Sequence, residues 1–418
     1  MPAAPSLLIV PYRSKTGRLY SQIPVPVAPA TTGAGDFTVT RNTEARRFNS
    51  AGLIESVASG IPRLDYYTSG GTAGCPALLV EPAATNLALQ SEAWNVSPWT
   101  ATSGSQGATV SGNVTTSPDG TTNADKLIEA ATTGTHFCLQ SLTLTSGTTH
   151  TASFFVKASE RTRGRFRMSG SGAYWDIDFN LTSGTVTGGT NPFIQNFGNG
   201  WYRIGGTFTA NQASNSFILF LLDASGNASY TGNGTNGFFV WGAQLETGSV
   251  ATSYIPTTAG TGSRSADVIS VSGAVSGSIG QTEGVLYIEC ESNNGEDDVF
   301  FINRSVANGI ALYKNANNAY LGRIFHSSNS IIFTSASGVT GTVKIAIAYK
   351  SGDSTMYLNG SRVGTLDATA ITFGAALNSL VTDKSAGFIS GNKPSRIRAV
   401  ALYTTRLTDA ELATLTTP

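Results

Sequence analysis

The chain has 418 residues, enough for two or three domains, and its 26 Lys+Arg are balanced by 26 Asp+Glu, with charged residues at only 12% of the total. That balance removes the electrostatic case for nucleic acid or for an anionic membrane surface, and no apolar run approaches a transmembrane helix, so neither nucleic acid nor membrane insertion is expected. The 47 glycines, set among Ser, Thr, Asn and recurrent aromatic and aliphatic runs, exclude a disordered composition and predict many short strands joined by turns.

Residues 1–36 read as an extended anchor. Leu7-Leu8-Ile9-Val10 is ended by Pro11 and has no basic region before it, which is too short for a signal-peptide core. Pro24, Pro26 and Pro29 in IPVPVAP favour a stiff, extended backbone suited to lying along a partner, or equally to an ordinary surface arm. Residues 37–92 read as a small β-rich connector without an active-site constellation. Its elements are a strand-like Phe37 to Arg41, a turn at Ser50-Ala51-Gly52, an apolar Leu53-Ile54, Pro62-Arg63-Leu64-Asp65, and Leu78-Leu79-Val80-Glu81-Pro82 leading into Thr85-Asn86-Leu87. Arg41, Arg46, Arg47 and Arg63 are expected to pair with carboxylates of this segment or its neighbours.

Residues 93–257 read as one β-sandwich. Candidate strands are Thr151–Ala158, Arg165–Met168, Tyr174–Leu181, Trp201–Thr209, Ser216–Leu222 and Gly237–Glu246, separated by turn residues at regular intervals. In the last, Phe239, Trp241, Ala243 and Leu245 are expected to share one face at the two-residue strand period. Residues 258–282 are a linker by composition. Residues 283–418 read as a second sandwich, with strands at Glu283–Glu291, Gly309–Tyr313, Tyr320–Phe325, Val343–Lys350 and Arg396–Tyr403, and an Asn359-Gly360 hairpin inside Met356–Val363. Thr408-Asp409-Ala410-Glu411 is a capping box that opens a short helix through Leu415.

The order of an arginine-rich strand, a GLI turn, PRLDY and LLVEPAATNL resembles a module found near the N-terminus of many bacteriophage virion proteins. SPDGTTNADKL, NGWYRI and WGAQLETGSVATSYIPT resemble a carbohydrate-binding-module-like jelly roll of phage structural proteins. The YLNG hairpin and the terminal LTDAE resemble concanavalin-like or laminin-G-like lectin domains. The fold class expected is therefore all-β, with two successive antiparallel sandwiches, jelly roll then concanavalin-like, after an anchor and a connector. The resemblance implies a non-enzymatic virion fibre or spike of head or tail, assembled in the host cytoplasm. It further implies fixation to other virion proteins through the N-terminal region, a homotrimer, and attachment to host surface polysaccharide. A structural decoration and a capsule depolymerase are the alternatives.

The chemistry offered by single residues is sparse. His136, His150 and His326 fall in no zinc or nucleophile pattern and are expected at a surface or pocket edge. Gly232 to Gly237 matches GxGxxG but precedes a strand rather than a helix, so it reads as a turn. Glycosidases of the concanavalin-like class resemble one another in E-x-D-x-x-E. The nearest approach, Glu289 to Asn294, lacks one of the two required carboxyls, and Asp176 with Asp178 has no third partner. Asn294, Glu296, Asp297 and Asp298 form the densest acidic cluster. They are oxygen ligands of the type Ca²⁺ takes, in a spacing that matches no defined calcium loop, so a solvated loop is the alternative and no cofactor is required. Sugar rings stack on aromatic faces beside hydrogen-bonding side chains, which nominates Tyr174, Trp175 and Asp176 in the middle region and Tyr313, Tyr320 and His326 in the last. Trp201 and Trp241 are assigned to core packing, and Trp94 and Trp99 to packing against the preceding module. Cys75, Cys138 and Cys290 form no disulfide framework and are expected as buried or semi-buried thiols.

Overall fold

The structure is a computed structural model and describes residues 4–9, 14–15, 18–19, 37–101, 107–170, 173–272, 276–292, 297–303, 308–315, 317–327, 329–383 and 393–418. Among these the chain is all-β apart from one 3-10 turn and one helix, Asp409–Thr416, whose Thr408–Glu411 capping box forms as expected.

The middle region forms the sandwich expected, and each of its candidate strands is present within a few residues of its expected limits. One sheet runs through Ala108–Thr115, Ala124–Glu129, Gly237–Thr247, Thr149–Ala158, Trp201–Thr209 and Thr190–Asn196; the facing sheet is centred on Thr133–Thr143, Ser214–Leu221, Arg163–Gly170 and Ala173–Asn180. Phe154, Phe166, Ile177, Ile204, Phe217 and Val240 are fully buried in the core between them. Trp94 and Trp99 stack at 4.1 Å in this core, so they pack inside the middle sandwich rather than against the preceding module.

The face expected for Phe239, Trp241, Ala243 and Leu245 does not hold along the whole strand. The register against Thr149–Ala158 slips between Ser153 and Phe155, and Gly242 sits at φ +63°. A bulge of this kind needs a residue tolerant of the left-handed region, and it reverses the side-chain alternation beyond it. Phe239 and Trp241 therefore lie in a second apolar cluster on the outer face, whereas Ala243 and Leu245 point into the sandwich core.

The second sandwich is assembled from distant pieces of chain. Its eight-stranded sheet runs through Ser361–Asp367, Ser354–Leu358, Gly341–Lys350, Glu283–Ser292, Ser395–Tyr403, Ala73–Val80 and Arg63–Tyr67, and Leu7–Ile9 pairs with Ser395–Tyr403. Leu7–Ile9 pairs with Val400 to Leu402, while Leu78 to Val80 pairs with Ser395 to Ile397 on the same strand. Its nine-stranded sheet runs through Ser14–Lys15, Arg18–Leu19, Phe37–Thr40, Val268–Ser272, Ser379–Asp383, Asp297–Ile302, Gly309–Lys314, Tyr320–His326 and Asn329–Thr334. Leu7, Leu19, Phe37, Val80, Ile269 and Leu402 share one core between the sheets. Helix Asp409–Thr416 covers the outer face of the eight-stranded sheet through Leu412.

Sheet pairing thus crosses the boundaries drawn along the sequence. Of the described parts of 1–36 and 37–92, Leu7–Ile9, Ser14–Lys15, Arg18–Leu19, Phe37–Thr40, Arg63–Tyr67 and Ala73–Val80 are strands of the C-terminal sandwich, whereas Ala45–Phe48 and Ile54–Val57 pair with each other as a separate hairpin; IPVPVAP lies outside the described residues. Within 258–282, Val268–Ser272 is an interior strand of the nine-stranded sheet and Gly262–Arg264 pairs with Ala84–Asn86. The middle sandwich is an insertion: its entry and exit are tied by Gln90 N–H to Thr258 O at 2.8 Å and Ser91 N–H to Thr257 O at 3.2 Å.

Candidate functional site

The motif residues, far apart in sequence, meet where the insertion leaves the C-terminal sandwich. Glu81 ends the strand Ala73–Val80 and accepts from Arg63 Nη1 at 2.6 Å, from Ser253 N–H at 2.7 Å, and from Arg264 Nη1 at 3.1 Å. Asp267 accepts from Arg41 Nη1 at 3.1 Å, from the Glu81 N–H at 2.9 Å, and from Arg63 Nη2. All five side chains are essentially excluded from solvent. Burial by itself raises the Glu81 carboxyl, but Arg264 and Arg63 outweigh it and hold the group down to about 2. Asn86 completes the joint: its Nδ2 donates to Ala243 O and Ile255 O, and its Oδ1 accepts from Ala88 and Leu245 N–H. Gln244 Oε1 accepts from Ile255 N–H at 2.7 Å, and Glu246 accepts from Thr252 N–H at 3.0 Å. PRLDY, EPAATN and QLETGSVATSYIP are therefore one buried polar network, satisfied nearly throughout.

The arginines behave as expected. Arg41 pairs with Asp267, Arg46 with Glu44 at 3.4 Å, Arg47 with Glu55 at 2.5 Å, and Arg63 with Glu81 and Asp267. Asp65 accepts from Phe48 N–H and pairs with Arg396 of the C-terminal strand, which also binds Glu291.

Beside this joint lies a cleft of about 640 Å³ walled by the connector strands, the middle sandwich and the segment 393–396. Its back wall is the outer face of the six-stranded sheet. Strand alternation puts Phe193, Gln195 and then Phe197 on that face, and register sets Gln195 opposite Arg203 and Arg203 opposite Phe155 on the next strand. Gly205 opposes Phe193, and a side chain there would collide with the Phe193 ring and Ala152 O, so glycine is what lets that ring lie flat on the sheet. Phe197 meets Phe155 edge-on at 4.9 Å and lies 5.0 Å from Tyr67, whose hydroxyl is pushed up to about 12 by burial. Arg203 is 5% exposed, lies 5.5 Å from the Phe155 ring, and donates to Ser153 Oγ and Thr252 O. Burial lowers its pKa, and Glu246 and Glu81 offset this only in part. No carboxylate among the described residues lies within ion-pair distance of Arg203. The strand Thr190–Asn196 was not singled out in the sequence, although Phe193, Gln195 and Phe197 recur at a strand period.

The nominated sugar-contact residues are not brought together. Trp175 is half-buried, packed at 5.6 Å against Phe166 and at 5.7 Å against Phe208. Asp176 points to the other face and is held by Nε and Nη2 of Arg167, beside a matching Arg165–Asp178 pair. Tyr174 lies on the same strand, and its side chain is outside the described residues. Tyr320 is in the core between the sheets, Tyr313 is buried on the outer face, and His326 is 5% exposed. A strand aromatic reads the same whichever face is covered; here the second sheet or its outer packing covers them. The other histidines are also buried rather than at an edge, with His136 against Gly107 O and His150 against Thr148 O. Asn294 and Glu296 lie outside the described residues, and Asp297 and Asp298 open a strand with side chains that are not described. No group of metal-binding side chains occurs among the described residues. Both oxygens of Glu291 accept from Arg396 and Arg398, and Gly232 to Gly237 is a turn before a strand. Cys138 and Cys290 are buried, but Cys75 is exposed on its strand.

No protein-family model matches the sequence, and no curated protein matches it. Among solved structures, the Ruminococcus gnavus IT-sialidase CBM40 is similar at 15% identity and a TM-score of 0.28, covering 33% of this chain and 84% of that one. A botulinum neurotoxin type C structure, titled for cell entry dependent on two ganglioside molecules, is similar at 12% identity and a TM-score of 0.30, covering 36% of this chain and 39% of that one. The NanB sialidase of Streptococcus pneumoniae is similar at 15% identity and a TM-score of 0.30, covering 36% and 27%. Likeness of this degree bears on neither ligand nor activity.

Proposed function

We propose that this chain is a bacteriophage virion fibre or spike protein that holds its two sandwiches out from the particle and attaches to host surface glycans without cleaving them. The observation that carries this reading is the joint. Three residues on which the resemblance to phage virion modules rests, Arg63, Glu81 and Asn86, are ones that lock the inserted sandwich to the sandwich that carries it. A buried network whose groups are satisfied apart from Arg63 Nε and Arg264 Nε fixes orientation, which is what a displayed attachment domain needs. The cleft beside the joint has the aromatic walls and convergent polar groups of a small-ligand site. Fixation to other virion proteins through the N-terminal region and assembly as a homotrimer belong to this reading by resemblance, and many copies would turn weak single sites into firm attachment.

One observation favours a second reading, a purely structural decoration or tail component: Tyr313, Tyr320 and His326 are buried, which leaves the C-terminal sandwich without the sugar platform nominated for it. An electron-microscopy map of the particle combined with adsorption competition separates the two. Attachment predicts sandwiches at the particle periphery and a purified chain that blocks phage adsorption. Sandwiches packed within the shell, and a chain that does not compete, would establish decoration instead. Release of new reducing ends from host capsule would establish a depolymerase.

A further inference from the structure

We infer that the cleft between the joint and the middle sandwich takes a carboxylated sugar, a uronic-acid-type unit of an acidic polysaccharide, with its carboxylate directed to Arg203. The inference rests on the attachment reading and names the class of glycan it would recognise.

Charge is the first argument. The chain as a whole is neutral, yet the described residues lining the cleft include Arg46, Arg47, Arg203, Lys393 and Arg396 against only Asp65 and Glu81. Arg46 and Arg47 are matched by Glu44 and Glu55, and Arg396 by Asp65 and Glu291. Within the joint, Arg41, Arg63 and Arg264 make their ion pairs with Glu81 and Asp267, and Glu246 is engaged by Thr252 and Gln244. Among the described residues of the cleft and the joint, the guanidinium left without a directly bonded carboxylate is Arg203. Ser153 Oγ and Thr252 O take three of its five N–H groups and leave one on each Nη, an end-on pair that suits a carboxylate in two-point contact and would supply the anion a buried cation calls for.

Geometry is the second argument. Arg203 stands in a cross-strand row with Phe155 and Gln195, and Phe193 lies two residues before Gln195 on the edge strand. Phe193, Phe197 and Tyr67 are partly exposed, as is Gln195. An aromatic surface for the apolar face of a pyranose, an amide for its hydroxyls and a guanidinium for its carboxylate thus converge in a volume of about 640 Å³, room for a short oligosaccharide. A neutral sugar would leave the cation unanswered. A bare anion such as sulfate would not use the aromatic wall.

The test is calorimetric titration of the full chain with hexagalacturonate and with a hyaluronan hexasaccharide, each against its methyl ester, which keeps the ring and removes the charge. At least one acid is expected to bind at least tenfold more tightly than its ester. Arg203→Gln should abolish that binding, and Phe193→Ala and Lys393→Gln at the rim should weaken it at least fivefold without shifting the unfolding midpoint. Lys157→Gln, outside the cleft lining, should leave it unchanged. If Arg203→Gln does not fold, the two rim variants decide. Equal binding of acid and ester, binding of neither acid, or indifference to both rim variants would overturn the inference. A chain that still blocks phage adsorption while binding neither acid overturns the acidic-sugar inference alone; a chain that does not block adsorption overturns the attachment reading beneath it.

Discussion

The joint and the solvent side of the sheet that contains Arg163–Gly170 and Ala173–Asn180 use the same chemistry at different burial. In the joint, Arg63, Glu81 and Asp267 are sealed from water, and each lost partner leaves a stranded charge. On the sheet, Arg165–Asp178 and Arg167–Asp176 are cross-strand pairs in register, both bidentate, with side chains 20–38% exposed. Water competes for the second set and not for the first. The lesson is that arginine–carboxylate pairing by itself says little about stability in this chain; the solvent around the pair decides it.

The largest effect that would sharpen this contrast is Arg63→Met. It leaves Glu81 and Asp267 buried with fewer partners, and about 3–5 kcal/mol of stability should be lost in urea denaturation. A loss below about 1 kcal/mol would mean that the joint does not lock the two sandwiches together.

Glu81 gives the contrast a pH dependence. Its folded carboxyl, at about 2, titrates below the usual 4.5, so the folded state binds fewer protons between those values. Stability from this group is fully present above about 4.5 and drains away as the pH falls toward about 2. Glu81→Gln should cost on the order of 3 kcal/mol at pH 7 and flatten the stability curve across that window. An unchanged acid slope in the variant would count against Glu81 as the titrating group.

The smallest effect belongs to the sheet surface. Asp178→Asn should cost less than about 1 kcal/mol, and the difference from wild type should shrink further in high salt. A loss comparable to that of Arg63→Met would erase the contrast altogether.

Much of the architecture was legible in the residues. Six strands of the middle sandwich were found because alternation is a local signal, while Ala108–Thr115, Ala124–Glu129, Thr133–Thr143 and Thr190–Asn196 were not, and Thr408 and Glu411 announced the helix because a capping box lies within four residues. The pairing of Arg41, Arg46, Arg47 and Arg63 with carboxylates followed from their place in a connector between sandwiches, where a buried arginine needs an anion of its own module or its neighbours. The reversal at Gly242 was not legible, since a bulge inserts a residue without changing the apolar pattern on either side of it. Nor was the burial of Tyr313, Tyr320 and His326, because an aromatic on a strand carries no mark of what covers its face.

Residue types and their spacing alone determined that this protein is all-β, where its most strongly alternating strands lie, and that Arg41, Arg46, Arg47 and Arg63 serve its own carboxylates. Those follow from side-chain alternation, turn chemistry and the place of these arginines in the connector. Only the tertiary structure decided which strands pair. Leu7–Ile9 finds Val400 to Leu402, Leu78 to Val80 finds Ser395 to Ile397, and the middle sandwich becomes an insertion in a domain that encloses it on both sides in sequence. Backbone hydrogen bonds are the same for every strand, so a strand pattern names no partner; burial of complementary faces chooses it. The same choice leaves Arg203 and the Phe193 edge facing one cleft beside the joint.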